Sequence, residues 1–179
     1  MKIQNNFMYK NFLLLFSIFS CFNNQSANLI KTVENVDINK FMGDWFVIAS
    51  IPTFIEKNIL NAVETYKLKG SNKIETTFSF HRNGLNNPKK VYSSNAVILN
   101  NKTNSEWEMK FWGPIKSKYL IISLSDDYSN TVITVPNKNY LWIMSRTPIL
   151  EDSIYFDIID NLKKLDFNIN KIKKIPQIW

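Results

Sequence analysis

From Trp45 to Ile51 the chain runs through seven residues with one polar member, Ser50, and Pro52 ends the run. A run so apolar and so short reads as a strand buried on both faces. Ahead of it, Asp37 to Met42 mixes polar turn formers with a short helix-like entry, and Gly43 permits a tight turn because it has no Cβ. Downstream the pattern changes to alternation. Ala62–Leu68 and Ile74–Phe80 are predicted strands joined by the turn signal Lys69-Gly70-Ser71-Asn72. In the second of them Ile74, Thr76, Phe78 and Phe80 share a face. A polar loop, His81 to Lys90, leads to a strand at Val91–Leu99. Trp107–Phe111 then sets Trp107, Met109 and Phe111 against Glu108 and Lys110, until Trp112-Gly113-Pro114 interrupts it. Lys118–Leu124, Thr131–Val135 and Tyr140–Ser145 complete eight strands, and their short connections predict an antiparallel meander. Such a sheet exposes its edges unless it closes. A closed eight-stranded barrel holds one small ligand, whereas a two-layer sandwich fills its interior, and strand count alone does not choose between them.

One helix is predicted late, over Glu151–Leu165, with Ile154, Ile158, Ile159, Leu162 and Leu165 near helical spacing. Glu151 and Asp152 in its first turn and Lys163 and Lys164 in its last suit the helix dipole. Its apolar stripe is expected to pack outside the barrel. Pro176 limits Ile175–Trp179 to a short edge piece.

The N-terminus reads differently. Lys2 and Lys10 flank Phe12–Phe19, an apolar run too short to span a bilayer, which predicts a cleavable signal peptide over 1–20. Ile18-Phe-Ser-Cys21 resembles a bacterial lipobox, in which the cysteine becomes the lipidated first residue. Residues 21–36 then form a lipidated tether and 37–179 the folded domain. The plainer alternative is a chance cysteine near an ordinary cleavage site. Cys21 is the only cysteine, so no intramolecular disulfide forms.

Composition narrows the function. With 179 residues, 14% aromatic and 21% charged, the chain suits one domain with a sizeable core rather than a disordered tail. Its net charge of +7 is spread along the sequence, which favours solubility or contact with an anionic membrane. No arginine cluster or glycine-aromatic motif points to nucleic acid. The single histidine, His81, sits beside a loop, and no metal-ligand cluster, Gly-rich phosphate cradle or activated nucleophile is visible. The sequence therefore predicts neither an enzyme nor a cofactor or metal. It leaves the oligomeric state, a homodimer included, open.

Gly43-x-Trp45, then eight strands, with Asp127-Tyr128 before the seventh, Arg146 after the eighth and a helix behind, together resemble the lipocalins. Phe111-Trp-Gly-Pro114 and Tyr140-Leu-Trp-Ile-Met-Ser-Arg-Thr-Pro148 are similar to the branch of bacterial outer-membrane lipoproteins related to apolipoprotein D. The resemblance covers Val36 to Ile175. It implies an all-β fold: an eight-stranded antiparallel up-and-down barrel, closed at one end, with one C-terminal α-helix packed outside. It also implies that Trp45 plugs the closed end under Arg146, with Gly43 at the turn and Asp127 and Tyr128 fixing the neighbouring loop. A guanidinium stacks favourably on an indole face. The loop Thr53–Asn61, with Phe54, Ile55, Ile59 and Leu60, is expected to cross the open end as a lid.

Alternation from Arg146 then predicts the cavity wall. It comprises Tyr140, Trp142 and Met144; Val47 and Ala49; Glu64, Tyr66 and Leu68; Thr76 and Phe78; Ser93, Asn95 and Val97; Trp107 and Met109; Tyr119 and Ile121; and Val132 and Thr134. The expected ligand is a fatty acid such as palmitate or a lysophospholipid, bound at the bacterial outer membrane through lipidated Cys21 on the periplasmic side, or by a secreted form. The alternatives are a scavenger of haem or pigment and a filled barrel acting as an interaction module. Glu64 is unusual in an oily cavity, since a buried carboxylate is costly without a partner. It sits near a wet mouth or marks a ligand with a cationic or hydroxylated head.

Overall fold

The computed structural model describes residues 30–112 and 115–179. The expected signal peptide over 1–20, Cys21 and Gly113-Pro114 lie outside them. The 21–36 tether lies outside them up to residue 29. The remainder of that segment is fixed to the barrel, because Val33 and Val36 donate backbone hydrogen bonds to Ile121 and Thr103 and Val36 is fully buried.

A four-residue helix, α1 (Ile38–Phe41), enters the fold and is capped by Asp37, whose Oδ1 accepts from the Asn39 and Lys40 amides. Eight strands follow: β1 (Gly43–Ile51), β2 (Ile59–Leu68), β3 (Lys73–Arg82), β4 (Lys90–Ile98), β5 (Glu106–Trp112), β6 (Ile115–Leu124), β7 (Asn130–Thr134) and β8 (Leu141–Ser145). Each pairs antiparallel with the next, and β1 pairs with both β8 and β2, so the sheet closes as the expected up-and-down barrel. A 3₁₀ turn, Phe54–Glu56, lies between β1 and β2. The chain has only four glycines, and Asn58, Asn61, Asn83 and Asn104 take up left-handed conformations that glycine would otherwise supply.

The seam of the barrel is unusual. The β1–β2 ladder covers only Gly43–Phe46. Beyond it β1 bulges between Val47 and Ala49 and turns to the C-terminal strand β9 (Lys173–Lys174), which pairs with Ala49 and Ser50. The following tail spans the gap. Ile175 N donates to the Ile48 carbonyl, and Gln177 Nε2 donates to the carbonyls of both Val47 and Ala62, at 2.9 and 3.2 Å. The Asn61 amide donates to the Pro176 carbonyl, its side chain exchanges hydrogen bonds with the Ile178 backbone, and Trp179 packs edge-on against Phe46 at 5.4 Å.

Two cores result. One fills the closed end of the barrel around Phe41, Trp45, Tyr66 and Trp107. The other lies between the outer faces of β1, β7 and β8 and the helix α2 (Asp152–Lys164), where Tyr155, Ile158 and Leu162 meet Ile48, Val132, Leu141 and Ile143. The helix packs outside as expected, although Leu165 from the predicted stripe is exposed.

Three strand faces differ from expectation. On β4, Tyr92, Ser94 and Ala96 pair directly with inward Phe78, Thr76 and Ile74. Directly paired residues share a face, so Ser93, Asn95 and Val97 belong to the other one, and Asn95, opposite Glu75, is exposed. On β7 all five residues are buried, and Ile133 faces inward while Val132 meets α2; Thr134, one alternation step from Val132, shares its outer face. On β1 the bulge after Val47 carries Ala49 to the outer core.

Candidate functional site

The closed end is built around α1 and the first turn of β1. Gly43 holds φ at +97°, a conformation that favours glycine, while a Cβ there would meet Arg146 Nη1 at 3.4 Å, an ordinary contact distance. Arg146 lies flat over Trp45, its Cζ 3.8 Å from the ring centroid. Its Nη1 and Nη2 donate to the carbonyls of Asp44 and Lys40 at 2.8 and 2.6 Å, and Trp45 Nε1 donates to the Phe41 carbonyl at 2.9 Å. One guanidinium thus ties β8 to α1 and β1. Tyr128 sits at φ +59° and its hydroxyl accepts from the Asp37 amide at 2.8 Å. Asp127 accepts from the Ser129 amide, and hydrogen bonds from Ser125 and Ser129 hold its carboxyl down at about 2. This loop therefore closes on α1.

Above the plug lies a floor of aromatic rings. Phe41, Tyr66 and Trp107 contact one another with centroids 5.4–5.6 Å apart, and Trp107 stacks on Tyr119 at 5.7 Å. Here the predicted wall needs correction. Tyr66, Trp107 and Ile121 face inward but are fully buried in the packed floor and do not border the cavity. Large rings low in a tapering barrel fill it completely, which alternation alone does not reveal. Asn95 faces away altogether.

Over that floor a cavity of about 610 Å³ opens, within the range of small-molecule sites. Glu64, Thr76, Phe78, Met109, Tyr140 and Trp142 border it, as do Val47, Tyr119 and Met144. Tyr92 and Ser94 replace the wrongly assigned face of β4, although Ser93 also reaches the rim. The barrel is therefore not filled. The lid contributes Thr53, Phe54, Ile55 and Glu56. Ile59 is buried in the inner core and Leu60 belongs to β2, so the lid is shorter than the loop predicted from sequence.

Glu56 escaped the sequence reading. It is 6% exposed; its Oε1 accepts from Trp142 Nε1 at 2.7 Å and its Oε2 from the Thr53 amide at 2.6 Å. The available signal was a lone acid inside the apolar loop Thr53-Phe-Ile-Glu56. Its carboxyl pKa is raised, chiefly by burial, with the Thr53 and Trp142 hydrogen bonds working the other way. Glu64 lies opposite Trp45 in the β1–β2 register, one inward step above Tyr66, and so stands low in the cavity rather than at its mouth. Burial, and next the charge of Glu56, push its carboxyl up to about 8. Among the described residues nothing donates a hydrogen bond to it. The hydroxyls of Tyr66 and Tyr119 bond each other beneath, and burial keeps both phenols well above their ordinary pKa.

His81 is remote from this chemistry. Its Nδ1 bonds the Asn87 carbonyl at 2.9 Å in the β3–β4 loop, so it offers no axial ligand to a haem in the cavity. No group of three metal-binding side chains gathers among the described residues.

Known proteins bear the same frame. The family model described as a lipocalin-like domain matches residues 36–177. The outer membrane lipoprotein Blc of Vibrio cholerae is 26% identical over 152 residues, covering 83% of this chain and 86% of that protein. Temperature-induced lipocalin-1 of Arabidopsis thaliana is 26% identical over 157 residues, 83% of each chain. Among solved structures, insecticyanin from the tobacco hornworm Manduca sexta superimposes with a TM-score of 0.65 at 20% identity, covering 82% of this chain and 83% of its own. Fold, plug and family match agree, and the chain belongs to the lipocalins, a family whose barrels bind small hydrophobic ligands.

Proposed function

We propose that this lipocalin binds an acyl-chain amphiphile, a fatty acid or lysophospholipid, and stores or moves it at the bacterial cell envelope. The observation that carries the reading is the roofed cavity of about 610 Å³ walled by Val47, Phe78, Met109, Trp142 and Met144. Each methylene moved from water into such a space contributes about 0.8 kcal/mol, so a chain of ten or so offsets the cost of ordering a flexible ligand. The envelope location is supported by the Vibrio relative, an outer membrane lipoprotein, and by Cys21 following an apolar run.

One preparation tests both parts. The protein, expressed with its leader and purified from the membrane fraction and from the soluble periplasm, is analysed intact and after lipid extraction by mass spectrometry. The expected result is one acyl amphiphile per chain and a mature N-terminus at Cys21 carrying acyl groups. An empty barrel that takes up neither palmitate nor lysophosphatidylcholine removes the ligand reading. An unmodified N-terminus beyond Cys21 removes the anchor.

A further inference from the structure

Among the described residues, the cavity lining holds two carboxylates and no buried cation. Glu64 rises from β2 just above the aromatic floor, and Glu56 hangs from the lid onto Trp142. The two come from separate elements yet border one space. Lys116, the one basic side chain among the described lining residues, belongs to the mouth near the β5–β6 connection, where it is half-exposed and already paired with Glu108 at 2.7 Å. Around the acids stand ring faces. Tyr119 and Trp142 lie 5.8 Å apart, and Tyr140 and Trp142 6.5 Å. Phe78 adds a further face to the lining.

An apolar cavity that keeps two acids at depth carries a desolvation cost that a hydrocarbon tail does nothing to relieve. Packing does not require them, since Gln or Met fills the same volume. What matches them is a buried positive charge, and the surrounding rings favour the same partner, because an ammonium is attracted both to carboxylates and to aromatic faces. We propose that the ligand has a cationic, ammonium-type head, that it enters head first, and that Glu56 and Glu64 form the buried seat for that head. The tail then runs upward past Phe78, Tyr92 and Met109 towards the mouth. This inference rests on the amphiphile reading above and adds to it the sign and the position of the head. Glu56 gives the seat a second role: it belongs to the lid, so a bound cation adds to the Trp142 contact that already holds the lid on the barrel.

The test uses three probes with one tail: decyltrimethylammonium, decan-1-ol and decanoate. Each is titrated below its micelle concentration into delipidated full-length protein at pH 7, followed by calorimetry and by tryptophan fluorescence. The cation is expected to bind about tenfold or more tighter than the alcohol, and decanoate weakest, the range that Coulombic attraction to a carboxylate and cation–π contact supply in a desolvated site. Glu64→Gln lowers the ratio of cation to alcohol affinity by about tenfold. Near-ultraviolet circular dichroism checks that the variant is folded. If it is not, the ranking in the unsubstituted protein decides alone. Equal binding of cation and alcohol, or tightest binding of decanoate, overturns the cationic seat and leaves lipid binding intact. Failure of all three probes to bind a folded protein removes the amphiphile reading itself, and the seat with it.

Discussion

Glu64 concentrates the tension of this fold in one side chain. Its carboxyl is raised to about 8 in the barrel against 4.5 for the ordinary group, by burial first and by Glu56 second. Below pH 4.5 it is protonated whether the chain is folded or not, and it costs nothing. Between 4.5 and 8 the folded barrel keeps a proton that the unfolded chain has released, so stability falls as pH rises across that window. Glu64→Gln has no proton to hold. The variant's empty barrel is therefore expected to melt higher than the wild type at pH 8.5, by about 2–4 °C for each kcal/mol relieved. The difference closes towards pH 4, and thermal melts at the two pH values read it directly. Arg146 presents the opposite case. Its charge rests on the Trp45 face and two carbonyls, and a cation over an indole contributes about 0.5–2 kcal/mol. That contact was legible in Gly43-x-Trp45 and Arg146 because both ends of it are motif residues. Glu56 was not, since a single acid in a loop gives no sign of whether it points at water or at Trp142.

At the scale of strands, what could be read depended on how differently the two faces are solvated. On β3, Ile74, Thr76, Phe78 and Phe80 alternate with the more polar Glu75, Thr77 and Ser79, and that alternation, anchored at Arg146 by the family resemblance, places Thr76 and Phe78 inward. β7 is buried throughout because α2 covers the barrel there, so its sequence offers no contrast between faces. β4 fails for another reason: Ser93, Ser94 and Asn95 are all small and polar, and nothing in them marks the inner face. Only the pairing of Ser94 with Thr76 does so. A matched pair of variants checks this assignment. Ser94→Trp projects an indole into the cavity and is expected to weaken amphiphile uptake about tenfold or more. Asn95→Trp projects outward and leaves uptake as it was. Ligand titrations on the two variants suffice, and equal effects would contradict the register. The helix was legible from its stripe and its end charges, whereas β9 was not, since Lys173 and Lys174 pair through backbone alone.

For the molecule as a whole, the barrel is closed by strand ladders along nearly its entire circumference, and at one place by the C-terminal tail. Where β1 leaves β2, Gln177 takes over the carbonyls of Val47 and Ala62. Deleting 176–179 leaves those acceptors unpaired beside the cavity, and each buried orphan costs about 1–3 kcal/mol. The shortened protein is expected to stay folded but to exchange the amides of Val47, Asn61 and Ala62 at least tenfold faster, as hydrogen exchange will measure.

The same stitch bears on traffic. A cup normally fills from the top, beneath its cover. The wall of this one lacks β1–β2 ladder bonds along one seam, where Ile175, Gln177 and Asn61 hold the C-terminal tail across it instead. Unfastening the tail should therefore loosen the wall beside the cavity and hasten release of whatever it holds, making the last four residues a zip rather than an ornament.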